Sequence, residues 1–197
     1  EVASLRARAM AAAGQRDDAH EHLGRSCAEV GAPDWLRSAL SFQVFVQTRD
    51  FEGARDALCH AIETGPPCAT FRFDLALLHA MHLRDLPLAR QYLEQARALP
   101  RSELMMLAMP LVEAAILVES SEPGAARERL AALANLPPLM ALMMHDELAV
   151  LRCIVAGELG ELAQARRQLR AVEGSLRARR DEYWLERCRR AAHPRGG

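Results

Sequence analysis

Residues 50–61 read Asp-Phe-Glu-Gly-Ala-Arg-Asp-Ala-Leu-Cys-His-Ala. The frame of this segment, an alanine followed four residues later by a leucine, recurs at residues 85–93, 122–130 and 161–169, and more weakly at residues 17–23. The alanines lie at positions 19, 54, 89, 126 and 165, so the copies are 35, 35, 37 and 39 residues apart. A period of this size is typical of repeat proteins, in which each copy forms one supersecondary unit.

The residue types of the repeat favour helices that pack closely on one another. Half of the chain is hydrophobic and only 5% is aromatic, and alanine, leucine, arginine and glutamate dominate, which favours helix over strand. An alanine methyl group lets two helices approach to the lower end of the usual interaxial range. The leucine four residues later lies on the same helix face and fills the space between the helices. The sequence therefore predicts an all-α protein.

The repeat resembles the tetratricopeptide repeat, a helix-turn-helix unit of about 34 residues. Ala54, Leu58, Ala61 and Pro66 match the second helix of that family, and later copies match it less completely. The aromatic and glycine pattern of the family's first helix is largely absent. The resemblance covers residues 1–173. It implies a right-handed α-solenoid of five tetratricopeptide-like hairpins that is closed by a C-terminal capping helix.

Turn residues set the predicted boundaries of a single domain over residues 1–197. We expect hairpins at about residues 2–31, 34–65, 70–99, 102–136 and 138–173, and a capping helix at residues 175–192 that begins after Gly174. Pro110 predicts a kink or a late start in the helix that contains it. The apolar stripe of the last helix, which includes Trp184, predicts a cap with a solvated basic face. A free arm that contacts acidic lipid or nucleic acid is the alternative.

Motifs that would indicate catalysis are missing from the sequence. It contains no phosphate-binding, dinucleotide-binding, zinc-protease or serine-hydrolase signature. Its five cysteines are odd in number and have no C-x-x-C spacing, which argues against a disulfide framework or a zinc site. His79 and His82 are three residues apart, but no third ligand follows at a familiar spacing. We therefore expect no enzyme activity, no catalytic residues, no cofactor and no bound metal.

Charge and hydropathy limit the partners and the location. Residues 175–197 carry seven arginines and three acids, a balance of +4, whereas the rest of the chain has a balance of −5. Neither balance is extreme enough to indicate direct nucleic-acid binding. No apolar run reaches the length needed to span a bilayer, so we expect a cytoplasmic protein without a membrane partner. The chain begins at Glu1 rather than methionine, which indicates a piece of a larger protein and leaves a lost leader open.

The resemblance implies a module for protein–protein interaction. First helices of the family line a concave groove, which would here bind a peptide or an amphipathic helix of another protein. The groove residues that this register implies are Gln43, Val46, Asp74, Leu78, Met81, Leu111, Ala115 and Val118. This mostly apolar set suits an apolar helix better than an acidic tail.

Two other functions fit the same sequence. One is a regulatory, sensor or self-association domain of a bacterial transcription activator, in which case the chain would form homo-oligomers. The other is a secretion-type chaperone that holds an aggregation-prone partner in its groove.

Overall fold

The computed structural model describes residues 2–194, apart from the side chains of Leu104, Leu139 and Met143. All regular structure in this range is helical, as the sequence predicts. The α-helices are α1 (Val2–Ala12), α2 (Arg16–Glu29), α3 (Asp34–Gln47), α4 (Phe51–Thr64), α5 (Ala69–Leu78), α6 (Leu86–Arg97), α7 (Glu103–Glu119), α8 (Pro123–Ala132), α9 (Pro138–Met143), α10 (His145–Glu158), α11 (Leu162–Ala178) and α12 (Glu182–Ala192). A π turn (His79–Leu83) extends α5, and a 3-10 turn (Leu133–Asn135) follows α8.

The chain divides between Arg101 and Ser102 into two compact units, where the sequence suggested one domain. The first unit contains the hairpins α1/α2, α3/α4 and α5/α6, and within it α3 packs on both α1 and α2, and α5 packs on α4. The second unit contains the hairpins α7/α8 and α10/α11, and α10 packs on both α7 and α8. Consecutive hairpins are therefore in contact within each unit.

The repeat alanines lie at the centre of this packing. Each of them is completely buried, as expected for a position where neighbouring helices approach closely. In the second hairpin, Ala54 and Leu58 form one apolar cluster with Phe42, Leu75 and Leu78. The alanine-leucine frame therefore marks the buried face of the second helices.

Short polar side chains start three of the helices. The carboxylate of Asp50 accepts a hydrogen bond from the Gly53 amide at 2.9 Å, and the carboxylate of Asp85 accepts one from the Leu88 amide at 3.1 Å. The Ser102 hydroxyl does the same for α7, through the Met105 amide. Such caps satisfy amides that have no partner inside the helix. Two of these caps, Asp50 and Asp85, are the first residues of their repeat copies.

Three helix boundaries differ from the sequence prediction. The helix expected to end at Gly174 continues to Ala178 as α11, and the chain turns at Arg180, which has a φ of 54°. The capping helix α12 is therefore shorter than the expected residues 175–192. A late start at Pro110 is wrong, since α7 begins at Glu103 and includes it. In the hairpin expected at 138–173, the first half consists of two helices that meet at Met144.

Candidate partner-binding cleft

Most of the predicted groove residues belong to the protein interior. Leu78, Met81, Leu111, Ala115 and Val118 are all buried, whereas Gln43, Val46 and Asp74 are half-buried. The first five therefore offer no surface to a partner in this conformation, and their assignment to an open groove is corrected here. The physical reason can be read in α7, which is apolar on every face between Glu103 and Glu113. Its first turns expose Met106 and Leu107, but the neighbouring helices cover the part of α7 that carries Leu111, Ala115 and Val118.

Asp74 is the one acid in the predicted groove. Part of the residue remains accessible, but its carboxyl is surrounded by protein, and this burial raises its pKa to about 7. The side chain lies in α5 between the buried residues Phe73 and Leu75. Asp74 is thus neutral in a large part of the molecules near pH 7, which suits an apolar neighbour better than a cationic one.

A mostly apolar recess of the first unit lies between α1, α2 and α3. This cleft has a volume of about 480 Å³. Its floor includes Leu23 and Cys27 of α2, and its α3 wall is formed by Leu36 and Leu40. We call it the α1–α3 cleft. It lies beside first helices of two hairpins, which is the type of surface that the sequence predicted for partner binding, but at other residues.

The small side chains of α1 leave this space open. Ala3, Ala7 and Ala11 recur at every fourth residue of the helix, so they share one face. Ala7 and Ala11 pack on Leu23 in a buried cluster, against which Leu40 also packs. Ala3 lies one turn earlier, at the cleft, where its methyl group leaves the space beside Leu36 unfilled.

The rim of the α1–α3 cleft is unusually apolar. Val2 is 82% exposed and Val30 is 78% exposed. Single exposed aliphatic residues are common, but two at the mouth of an apolar cleft mark a surface that can gain stability by being covered. Both residues were missed by reasoning from the repeat frame. Val30 could have been found from the sequence, because it is an apolar residue directly before the Gly31 turn.

A polar anchor lies in the same cleft. His22 lines it, and its Nε2 atom is buried without a hydrogen-bond partner among the described residues. A buried ring nitrogen that lacks a partner costs free energy. Arg6 and Glu29 add one charge of each sign to the lining. A bound segment can therefore be apolar along most of its length and still pair one polar group with His22.

The second unit has a different kind of recess, between α10 and α12. It measures about 520 Å³ and is lined by Glu158, Tyr183 and Arg187. Arg187 lies over the rings of Tyr183 and Trp184, pairs with Glu119, and lies 3.8 Å from Glu158. Burial lowers the pKa of this guanidinium and raises that of the Glu158 carboxyl. The charged groups of this cluster already have one another as partners. We therefore interpret the cluster as the contact that holds α12 against the rest of the second unit.

The basic side of α12 is partly solvated, as the sequence predicts, since the Arg190 side chain is 76% exposed. Arg189 pairs with Glu173 at 2.9 Å, and Arg190 pairs with Glu186 at 2.8 Å. Trp184 is buried, and α12 packs on both α10 and α11, so the helix is a docked cap rather than a free arm. Tyr183 beside it is half-buried and donates to Glu119 at 3.2 Å.

In the range 2–194, no three His, Cys, Asp or Glu side chains are grouped so that they could hold a metal ion. None of the helices described there combines the length and the apolar character that a membrane span requires.

Comparisons with known proteins gave no match, whether against protein-family models, curated proteins or solved structures.

Proposed function

We propose that this chain is a tetratricopeptide-like protein-interaction module, a right-handed solenoid of helical hairpins that binds an apolar helix or peptide of another protein. The observation that carries the proposal is the α1–α3 cleft, with Val2 and Val30 exposed at its rim. The successive contacts of the hairpins within each unit support the repeat architecture. We assign the chain no catalytic reaction.

The chemistry of the cleft selects the class of partner. Aliphatic side chains line its floor and its α3 wall, so its occupant gains most by burying aliphatic or aromatic groups. A helix that places such groups on one face can insert them into a groove between two helices. An acidic tail would require a cluster of cationic side chains, and the lining includes one arginine and one glutamate, Arg6 and Glu29.

The test compares a valine and a leucine of similar exposure. Val30→Asp places a charge at the cleft, whereas Leu142→Asp changes a residue that is 73% exposed in α9 of the second unit. Neither substitution should change the free energy of unfolding by more than about 0.5 kcal/mol, the surface range. In host cells, a photo-crosslinking residue at position 30 should capture a partner that position 142 does not.

Binding of the captured partner then measures the effect of the charge. We expect Val30→Asp to weaken binding by at least about tenfold, which corresponds to 1.4 kcal/mol, and Leu142→Asp to leave it unchanged. Equal effects of the two substitutions, or a crosslink at position 142 alone, would contradict the assignment of the cleft.

Self-association is the second candidate, and one observation favours it. Val2 and Leu5, which is 61% exposed, lie three residues apart on α1 and form an apolar edge that a cleft of this kind accepts. A second copy could therefore supply the occupant, as in a self-association domain of a transcription activator. Sedimentation equilibrium separates the candidates, because a dimer that Val30→Asp dissociates supports this one. The secretion-type chaperone has no separate support in the structure.

A further inference from the structure

The third hairpin closes differently from the others. In the second and fifth hairpins, the amide of Asp50 donates to the carbonyl of Phe45 at 2.9 Å, and that of Glu161 to Ala156 at 2.7 Å, each five residues back. In the third hairpin, the amide of Asp85 donates to the carbonyl of His79 at 3.1 Å, six residues back. One additional residue is therefore accommodated, and it forms the π turn. Such insertions occur frequently at functional sites.

The imidazole of His79 is buried at this π turn. The residue is 2% exposed, and neither ring nitrogen has a hydrogen-bond partner among the described residues. The ring stacks on Tyr92 of α6, with ring centroids 5.5 Å apart, and the Tyr92 hydroxyl lies 3.9 Å from the Cys59 sulfur of α4. The imidazole is thus held by packing alone. An unsatisfied buried polar group of this kind calls for a functional explanation.

Charged groups of both signs surround His79. Asp85 at the start of α6 and Glu52 on α4 favour its protonated form, and Arg55 on α4 opposes it. Tyr92 and Cys59 are the other titratable groups beside the ring, and burial raises the pKa of Tyr92. The largest effect on His79 is its own burial, which lowers its pKa below the ordinary 6.5.

We propose that His79 is a proton-sensitive latch of the third hairpin, which holds the π turn closed when neutral and opens it when protonated. An imidazolium ion needs water or a hydrogen-bond acceptor on both nitrogens, and the closed turn supplies neither. The additional residue of the π turn provides the slack that lets the ring swing out without unfolding α5. Opening exposes the side of Tyr92 and the end of α6.

The direction of the pH effect follows from the burial. The closed state accommodates only the neutral ring of His79, whereas in the open state the ring takes up a proton with the ordinary pKa of 6.5. The closed state is therefore fully favoured above pH 6.5. Below pH 6.5 the open population rises by up to about tenfold for each pH unit. The open population stops rising at the pH where His79 is protonated in the closed state as well.

Hydrogen exchange measures this opening at the segment concerned. Protection factors, corrected for the intrinsic exchange rate, should fall for residues 76–92 between pH 7 and pH 5.5, by up to about tenfold, because only the last pH unit of this range lies below 6.5. His79→Leu should remove this dependence because the buried ring no longer titrates. His60→Leu, at an exposed histidine of α4, is the matched control and should retain it. A pH dependence that survives in His79→Leu would overturn the proposal.

A measurement on the unaltered chain keeps the proposal testable if the leucine variant does not fold. Nuclear magnetic resonance of the histidine ring nitrogens should show that His79 is still neutral just below pH 6.5, where an ordinary imidazole is protonated. The proposal fails if the ring of His79 titrates in the folded protein with a pKa of 6.5 or above.

Discussion

Arg16 of α2 forms an ion pair with Asp50, the residue that caps α4, 34 positions further along the chain. Arg127 of α8 pairs in the same way with Glu161, which precedes α11 and is also 34 positions away. Each pair joins the second helix of one hairpin to the start of the next second helix. The same contact between consecutive second helices therefore occurs in both units, although the first helices of the two units differ.

The Arg16–Asp50 pair can be isolated with a double-mutant cycle. Both side chains are partly exposed, so we expect a coupling free energy of about 0.2–1 kcal/mol between Arg16→Gln and Asp50→Asn. The bond from the Gly53 amide, followed by Arg16, lowers the pKa of Asp50 below 3.8. The coupling should therefore be complete above pH 3.8 and disappear as the pH falls through the lowered value. Urea titrations of the four proteins at pH 7 and pH 3 measure it.

Loss of the cap itself is a separate and larger effect. Asp50→Ala removes the acceptor of the Gly53 amide as well as the ion pair, and should cost about 1 kcal/mol or somewhat more. Asp85→Ala removes the equivalent cap of α6 and gives the reference value. An Asp50→Ala that is no more destabilising than Asp50→Asn would show that the cap contributes nothing.

The second helices were predictable from the sequence because their residues act locally. The alanine-leucine frame marks a buried face, and a carboxylate before that frame caps the helix, so Ala54 and Asp50 together indicate position and start. The left-handed turn residues are not visible in this way. Arg49, Arg84 and Arg180 adopt positive φ values although arginine has no local preference for them, so the surrounding packing imposes these turns.

The first helices and the candidate site were less predictable. The π turn at His79 needs no particular residue type, and the spacing from Ala54 to Ala89 is 35, the same as from Ala19 to Ala54. The α1–α3 cleft depends on how three helices leave space between them, which no periodicity encodes. The groove residues were placed by a register that assumes one free face along each first helix, whereas α7 exposes Met106 and Leu107 and buries the groove positions Leu111, Ala115 and Val118.

The buried position of the predicted groove residues can be tested with Leu78→Arg and Met81→Glu. Each residue is 2% exposed, and Leu78 lies in the apolar cluster around Leu58. A charge without a partner at such a site should destabilise the chain by about 3–5 kcal/mol. We expect the double variant to lose its cooperative thermal transition. A thermal midpoint within a few degrees of that of the unaltered chain would show that these residues lie at the surface, as the open-groove prediction requires.

The docking of α12 can be tested at Trp184. The residue is 2% exposed, so Trp184→Ala should cost about 3–5 kcal/mol through lost contacts and the cavity that remains. Tyr183→Phe removes only the hydroxyl that donates to Glu119 and should cost about 0.5–1.5 kcal/mol. Chemical denaturation measures both values. A loss below about 0.5 kcal/mol for Trp184→Ala would show that α12 is a free arm in solution.

The contact between α10 and α12 can be tested with two helical glycines of the second unit. Substitution of one glycine by alanine changes both packing and helix propensity, whereas substitution of the other changes helix propensity alone. A Cβ atom at Gly157 would lie 2.6 Å from the Ala191 Cβ and 2.7 Å from the Ala191 carbonyl carbon, and closer still to its oxygen. Backbone atoms cannot turn aside, so α12 would have to move away from α10. Gly157→Ala should therefore destabilise the chain by about 1–3 kcal/mol.

Gly174, inside α11, is the matched control. A Cβ atom there meets nothing within 4 Å, so Gly174→Ala gains helix propensity without any clash and should stabilise the chain by about 0.5–1 kcal/mol. The same substitution thus has opposite signs at two helical glycines of one unit. Denaturant midpoints measured side by side decide the matter, and a stabilising Gly157→Ala would mean that α12 does not rest on α10 as closely as the structure shows.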